Sequence, residues 1–520
     1  MKRGIRNKAI TILVCALISA PLCAQDAAEP APAASVQQAR NVLLLYVDDL
    51  RPELRSYGHG KIISPNMDRL AARSLVLNRA YCQVPICMPS RVSTLSGMYA
   101  RQVRQGKLRS LLPKGKPSLP GHFKANGFDT ISIGKVYHFN NDDPLSWTKR
   151  YTETFHEQKL VCDGWCSGYQ LEENRKAVRG ERGKNDKRPL TEFVDAPESA
   201  YPDGATTDRT IAELKELQES GKPFFLAAGF YRPHLPWVAP KKYWDLYKHE
   251  DIDLVANPNF PRGAIARNEW GDLRHYGDKV VNAANSIRGD YTAENFPILP
   301  EAKQRQLVHA YWACVSFIDA QIGRILDALD ETGMADNTVV VLLSDHGWQL
   351  GEHRLWSKNS NYEEAIRVPF MIAAPGITRG DKSEALTELV DIYPTLCELT
   401  GLVIPDHVEG VSMVPLLREP KRRWKSAAFA VWQGSLTMRT DRYRLTRYDK
   451  AMPGGSKTQL PSKGRYELYD YAATPPAAEN LAVNPKNKSL LNELIAQMNA
   501  GWKAARPNTT RFDRLDGTRR

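Results

Sequence analysis

The sequence predicts an α/β fold built on a large, mostly parallel central sheet flanked by helices, followed by a smaller C-terminal α+β part with an antiparallel sheet. Three observations carry that expectation. Apolar runs of strand length recur at Asn41–Val47, Phe224–Phe230, 338–343 and 369–374. Runs apolar at nearly every position suit strands covered on both faces, whereas a half-exposed strand alternates. Between the second and third runs, Leu307, Tyr311, Cys314, Ile318, Ile322, Ile325 and Leu329 recur at steps of three and four. That is the stripe of an amphipathic helix packed on a sheet, and it assigns Cys314 to the core. Strand-like and helical segments alternate over most of the chain, the order that produces parallel strands with helical crossovers. In such folds the functional groups gather at the C-terminal ends of the strands.

The first elements are read as processing signals. Residues 1–24 have the form of a signal peptide: Lys2, Arg3, Arg6 and Lys8 precede an apolar stretch over 9–22, and Ala24 offers a small residue for cleavage. A lipidated Cys23 is disfavoured by the bulky Leu22 before it. The expectation is therefore an exported protein, periplasmic or secreted. Residues 25–38, rich in Ala and Pro, form a disordered lead-in. No later run is apolar enough to serve as a transmembrane anchor. The main domain is expected over 39–420 and a C-terminal subdomain over 421–520, where short β-rich segments such as 436–447 and 465–471 replace the long apolar runs. A length of 520 residues with 42% hydrophobic content can fill both. Two polar, Pro/Gly-rich stretches, 140–199 and 244–300, are too long for simple connections and are expected to shape a substrate site.

Charge and cysteines bound the partners. A net charge of +12 suits a polyanionic ligand, although part of it lies in the signal and in the tail ending Arg519-Arg520. No RNP, zinc-finger or basic-helix signature accompanies it, which argues against nucleic acid. Six of the eight cysteines lie beyond the signal. Cys162 and Cys166 flank a turn-like Asp163-Gly164-Trp165 and either pair locally or stay as thiols; no second Cys/His pair nearby supports zinc.

Chemistry-bearing residues follow the strand-like runs. Asp48-Asp49 ends the first, and Ser344-Asp345-His346-Gly347 closes the third. Adjacent carboxylates at a buried strand end need a cation, and hard oxygen ligands favour Ca2+ or Mg2+. Their bland reading is a solvated turn. Gly134-Lys135-Val136-Tyr137-His138 follows a short strand at 130–133, Pro233-His234-Leu235-Pro236 follows the run ending at Phe230, and Trp356-Ser357-Lys358 follows the Asp345 motif. Taken singly, such Lys and His residues are surface groups. Cys87-Met88-Pro89-Ser90-Arg91, continued by Leu95-Ser96-Gly97, has Pro89 where a helix opens, and a helix N-terminus favours an anion.

The Cys87–Arg91 string resembles the signature of type I sulfatases, in which the cysteine is oxidised to formylglycine by a formylglycine-generating enzyme. The other motifs fall in the order that family presents them, and Glu467-Leu468-Tyr469-Asp470 and Glu479-Asn480-Leu481 are also similar to it. The runs Val47 to Pro52, Lys135 to His138 and Ser344 to Lys358 look like the iduronate-2-sulfatase branch. The resemblance implies a sulfatase/alkaline-phosphatase-like fold and hydrolysis of sulfate esters on a carbohydrate, such as 2-O-sulfate of iduronate or a related sugar of a sulfated oligosaccharide or polysaccharide. It implies a formylglycine-sulfate covalent intermediate on residue 87, with Ca2+, and less readily Mg2+, held by Asp48, Asp49, Cys87, Asp345 and His346, the last standing where the family often has Asn. Lys135, His234 and Lys358 would bind sulfate, His234 or Lys358 would protonate the leaving alcohol, His138 would act as base and Arg91 would steady the diol and sulfate. Two rivals keep part of this picture: a phosphonate or phosphodiester hydrolase of the same superfamily, and a non-catalytic glycan-binding protein with Cys87 unconverted.

Overall fold

The computed structural model describes residues 39–100, 112–138, 142–151, 168–178, 188–265, 272–284, 298–448, 465–474 and 476–507. The segments read as signal and lead-in, and the Cys162/Cys166 pair, lie outside these residues. Among the described residues eleven strands precede residue 390: β1 (Asn41–Val47), β2 (Leu75–Tyr81), β3 (Asp129–Gly134), β4 (Lys149–Tyr151), β5 (Thr191–Val194), β6 (Phe224–Phe230), β7 (Trp237–Pro240), β8 (Thr338–Ser344), β9 (Arg367–Val368), β10 (Phe370–Ala373) and β11 (Lys382–Glu388).

Among the described residues nine of these form one sheet in the order β11-β2-β10-β8-β1-β6-β3-β4, with β9 paired to β2. β8, β1, β6, β3 and β4 are mutually parallel. The two-residue alternation of side chains divides them between two cores. Leu43, Leu45 and Val47 face one side with Ile131, Leu226 and Leu342, and Val42, Leu44 and Tyr46 face the other with Phe225, Val341 and Leu343. Both sides are covered, which is why these strands read as continuous apolar runs. The expected amphipathic helix is Glu301–Glu331. All seven residues of its stripe, Cys314 included, are 0% exposed.

The 369–374 run is a strand, yet β10 runs antiparallel to both β8 and β2. The chain returns from β8 at the same end of the sheet, and the short helix Glu363–Ile366 does not carry it to the other end, so the next strand must run the other way. Hydropathy carries no direction, which hid this from the sequence. The two stretches expected to be loops also contain structure, including β4, β5 and the helices Glu172–Val178 and Lys279–Ala284.

A second sheet follows: β12 (Ala428–Trp432), β13 (Ser435–Arg439), β14 (Tyr443–Tyr448) and β15 (Arg465–Asp470), an antiparallel meander. The single β-rich segment expected over 436–447 is thus parts of two strands. The helix Lys488–Ala504 buries Leu494 and Met498 against Met438, Leu445 and Leu468 of this sheet. Lys425 ties the approach to β12 to the edge of the large sheet. Its ammonium donates to Glu388 at 2.8 Å and to Asp391 at 2.7 Å, all three buried. The described residues, all from Ala39 onward, belong to one compact unit.

Two glycines set how closely the loop after β3 approaches β6. Gly134 turns with φ +69°, and the Lys135 amide donates to the Gly229 carbonyl at 2.9 Å. A Cβ on Gly229 would stand 2.1 Å from the Lys135 carbonyl atoms, backbone that cannot swing away. Gly229→Ala is therefore expected to cost about 3 kcal/mol or more in urea unfolding, as overpacking against backbone does. Gly60→Ala, which meets nothing within 4 Å, is the matched control and should be near neutral.

Candidate active site

The site is assembled by strand register. β1 and β8 are paired so that Val47 lies level with Ser344, and β1 and β6 so that Val47 lies level with Phe230. Asp48-Asp49 and Asp345-His346 therefore leave neighbouring strand ends side by side, and the segment with His234 follows on the other flank. β3 pairs Gly134 with Gly229, which delivers Lys135 at the same level. Cys87 comes from the opposite direction, in the first turn of the helix Cys87–Ser96. That helix begins at Cys87 and not at Pro89; proline sits in the first turn, where its missing N–H would have had no partner. Gly97, with φ +67°, ends it.

The centre is three carboxylates threaded by three cations. Asp48, Asp49 and Asp345 are 0% exposed, and Arg91, Lys135 and Lys358 are at most 5% exposed. Asp48 is paired with Lys135 and accepts from Arg91 Nη2 at 3.3 Å. Arg91 Nε donates to Asp345 Oδ2 at 2.8 Å, and Arg91 Nη1 caps the carbonyls of Lys135 and Val136. The guanidinium also lies over the Tyr46 ring, 4.4 Å from its centroid. Arg91, expected to steady the diol and sulfate, makes its ion pairs with Asp48 and Asp345. Lys358 Nζ donates to Asp49 Oδ1 at 3.0 Å and stands 3.2 Å from Cys87 Sγ.

Environment separates the carboxyls. Against the upward push of burial, the charges of Lys135 and Arg91 hold Asp48 well below the usual carboxylate range. Burial pushes Asp49 up, and the neighbouring charges of Asp48 and Asp345 add to it against Lys358. Asp345 is pushed up to about 7, by burial with Asp48 beside it, despite Arg91. Asp49 adopts φ +58°, uncommon for a residue with a side chain. Its amide donates to Asp345 Oδ1 at 3.2 Å and its carbonyl accepts from Tyr311 at 2.8 Å. Those bonds hold the turn that folds the second carboxylate back into the site.

The donor set fits a hard divalent cation. Ligand atoms of Asp48, Cys87, Asp345 and His346 lie within 4.8 Å of one another, as do those of Asp48, Asp49, Cys87 and His234. His346 turns one ring nitrogen toward these groups. Its Nδ1 faces the Gly347 carbonyl at 2.9 Å, so that nitrogen carries the proton. Burial and Lys358 push the imidazole well below its ordinary value, which keeps it neutral. Nε2 therefore presents a lone pair to Asp49 Oδ1 at 3.2 Å and to Cys87 Sγ at 3.3 Å. An ionised Asp49 would oppose that lone pair unless a proton or a cation lies between them. The carboxylate oxygens are ligands that a hard cation such as Ca2+ prefers, and Cys87 Sγ and the imidazoles of His346 and His234 complete the two groups.

His234 Nδ1 faces the Leu235 carbonyl at 2.5 Å, so its other nitrogen is the one free of backbone duty. Burial, Lys358 and Lys135 hold this ring neutral too. Burial and Lys135 lower His138 to about 3, with Asp48 opposing. Several supporting groups left no sequence signal. Tyr311 sits in the stripe read as core, yet its hydroxyl bridges the Asp49 carbonyl and the Arg51 amide. Asp203, 1% exposed and pushed up to about 6 by burial despite Arg232, accepts the Tyr231 and Arg232 amides and so sets the loop that carries His234.

Comparison with known proteins agrees with this geometry. The sulfatase family profile matches residues 40–402, and the profile for the C-terminal part of N-sulphoglucosamine sulphohydrolase matches 351–503. Human iduronate 2-sulfatase (Homo sapiens) is 36% identical over 434 residues, 76% of this chain and 75% of that protein. A sulfatase from Formosa agariphila is 30% identical over 491 residues, 89% of this chain and 88% of that protein. Among solved structures, a phosphonate monoester hydrolase from Silicibacter pomeroyi superimposes with TM-score 0.68 at 20% identity, covering 90% of this chain and 96% of its own. A structure in complex with its substrate D-glucosamine-2-N,6-O-disulfate gives 0.66 at 21% identity, covering 90% and 99%. At these identities the two structures share the fold. The profile match over most of the described chain, and the identity to iduronate 2-sulfatase, establish that this chain belongs to the sulfatase family of sulfuric ester hydrolases.

Proposed function

We propose that the chain removes sulfate esters from a carbohydrate, the 2-O-sulfate of iduronate or a related sulfated polysaccharide sugar, with residue 87 acting as a formylglycine beside a bound Ca2+. The observation that carries the mechanism is the state of Cys87. Its thiol is 3% exposed, and burial and the Asp48 charge push it well above the ordinary thiol value despite Lys135 and Lys358. A protonated thiol is a poor nucleophile, so a cysteine at this position serves better once converted. As the hydrated aldehyde, residue 87 would offer one hydroxyl to sulfur and keep a second to undo the adduct.

The residues then divide the work. Lys135 and Lys358 hold the sulfate oxygens, and Arg91 acts by fixing Asp48 and Asp345. One diol hydroxyl gives its proton to Asp49, whose Oδ1 stands 3.9 Å from Cys87 Sγ, and its oxygen bonds to sulfur as the sulfur–alkoxide bond breaks; the departing alkoxide takes a proton from His234 or Lys358. Lys358 stays a cation, because Asp49 and Cys87 raise it against burial. His234 must first gain a proton, which the negative charge of an arriving sulfate favours. His138, held neutral, takes the proton of the second hydroxyl; the aldehyde re-forms, sulfate leaves, and water restores the diol. Bound Ca2+ would be held by Asp48, Asp49, Asp345, His346 and residue 87, and supplies polarisation of the nucleophile and the sulfate. Fixed charges around the transferring group carry most of the rate enhancement.

Three outcomes are expected. Cys87→Ala should lower hydrolysis of a sulfated disaccharide by about 10,000-fold or more while leaving the melting temperature unchanged, and mass spectrometry of protein from the native host should find the aldehyde at residue 87; an unmodified thiol there would favour a glycan-binding protein. Chelation should abolish activity and lower the melting temperature, and Ca2+ at a hundred times its Kd should restore about 2.7 kcal/mol, a shift that His346→Ala should reduce. The third concerns acid. His138, lowered from 6.5 to about 3, contributes stability above pH 6.5 that is lost as pH falls from 6.5 toward 3, because the unfolded chain then binds the proton more readily. In urea titrations over that window His138→Gln should lose less stability than the wild type.

A further inference from the structure

The C-terminal meander has two unlike faces. Its register sets Arg439 opposite Arg444 and Thr437 opposite Thr446, then Arg444 opposite Tyr469 and Thr446 opposite Glu467. Residues paired directly across strands share one face of the sheet. The face with Met438, Leu445 and Leu468 packs on the helix Lys488–Ala504. The other face is polar, yet Thr437, Arg439, Arg444, Thr446, Glu467 and Tyr469 are each at most 5% exposed. It meets the chain that leaves Lys358. Arg444 Nη1 donates to the Asn361 carbonyl, and the guanidinium lies over the rings of Tyr362 and Tyr469, 4.3 and 4.7 Å from their centroids. Ser435, also on β13, accepts from Asn361 Nδ2 at 2.8 Å, and Arg439 Nε donates to Glu363 Oε2 at 2.9 Å. Three consecutive residues, 361 to 363, are thus each held by this face.

A buried polar face is costly unless its groups are bonded. Arg444 is the extreme case: it is 0% exposed, and its Nε and Nη2 make no hydrogen bond among the described residues. Glu467, the acid of this face, accepts from Tyr448 at 2.9 Å and from the Ile265 amide at 2.8 Å. Aromatic faces favour the guanidinium, but an apolar side chain of similar size would fill the same space without desolvating a charge. What an apolar side chain could not do is donate to Asn361. That carbonyl lies three residues from Lys358. Between them the chain makes a tight turn: the Ser360 amide donates to the Lys358 carbonyl at 2.7 Å, and Ser360 Oγ donates to Gln349 Oε1 at 2.7 Å. A shift of Asn361 is therefore passed on to Lys358, whose ammonium stands 3.0 Å from Asp49 Oδ1 and 3.2 Å from Cys87 Sγ.

We propose that Arg444 is a positioning residue for the sulfate-binding group: through the Asn361 carbonyl, with Ser435 as the second tie, it sets the reach of Lys358 toward residue 87. This rests on the assignment of Lys358 to the sulfate made above. The test is a double-mutant cycle on the mature, converted enzyme with Ca2+, using inorganic sulfate, the product of every sulfatase, as the probe and calorimetry as the readout. Lys358→Met should weaken sulfate binding by roughly 10- to 100-fold, the loss of a hydrogen bond to a charged group. Arg444→Met should weaken it by roughly 10-fold when Lys358 is present and change nothing further in the Lys358→Met enzyme, because the group it positions is gone. Arg444→Lys, which keeps a donor, should recover part of the loss. If Arg444→Met yields no folded protein, Ser435→Ala, a smaller change against the same Asn361, should show the same dependence on Lys358 at roughly 2- to 5-fold. Losses that multiply with that of Lys358→Met would make these residues structural and overturn the proposal, as would an Arg444→Met enzyme with wild-type affinity. A Lys358→Met enzyme that keeps wild-type affinity would instead refute the sulfate role of Lys358 itself.

Discussion

Three carboxylates held dry within one cluster are the constraint on which the rest of this structure depends. Asp48, Asp49 and Asp345 are fully buried, and isolated buried charges of this kind cost several kcal/mol each. Arg91, Lys135 and Lys358 offset part of that cost through direct ion pairs. Asp49 and Asp345 remain pushed up even so, and His346 turns a lone pair toward them. The ligand atoms gathered here form a set that suits a divalent ion.

Much of the surrounding architecture follows from keeping that cluster rigid. The register of β1 with β8 and β6 sets the level of the carboxylates, and paired glycines at 134 and 229 let the Lys135 backbone lie flat on β6. The helix behind Cys87 presents its N-terminus to the same point, where the helix dipole adds to the cationic field. Tyr311 and Asp203 act at one remove, the first on the Asp49 turn and the second on the His234 loop. These are groups whose role is to position others, and each is buried where movement would be costly.

The C-terminal sheet belongs to the same construction. Its first hairpin turns at Gln433-Gly434, both with positive φ, the geometry that matches strand twist in a two-residue loop. Val431 donates to the Gln83 carbonyl at 2.8 Å, and Asn361 donates to Ser435 at 2.8 Å. The hairpin therefore braces both the segment leading into Cys87 and the one leaving Lys358. Among the described residues no helix is long and apolar enough to cross a membrane.

The sequence by itself determined the strands that carry the site and the residue types gathered there. Burial on both faces leaves an apolar run as its trace, and adjacent carboxylates at the ends of such runs are unusual enough to be read directly. Asn41–Val47 and Phe224–Phe230 were legible to the residue, and Cys314 was legible as core from its helical stripe. Direction, tautomer and partner choice were decided only by the tertiary structure. Hydropathy is blind to strand polarity, so β10 read like its parallel neighbours. The proton on His346 is set by the Gly347 carbonyl, and the orientation of Arg91 by carboxylates some 40 and 250 positions away along the chain. Arg188 and Tyr276 meet from separate polar stretches that have no periodicity of their own. A side chain's chemistry is carried by its sequence position, but its charge state and direction are set by groups that only folding brings beside it.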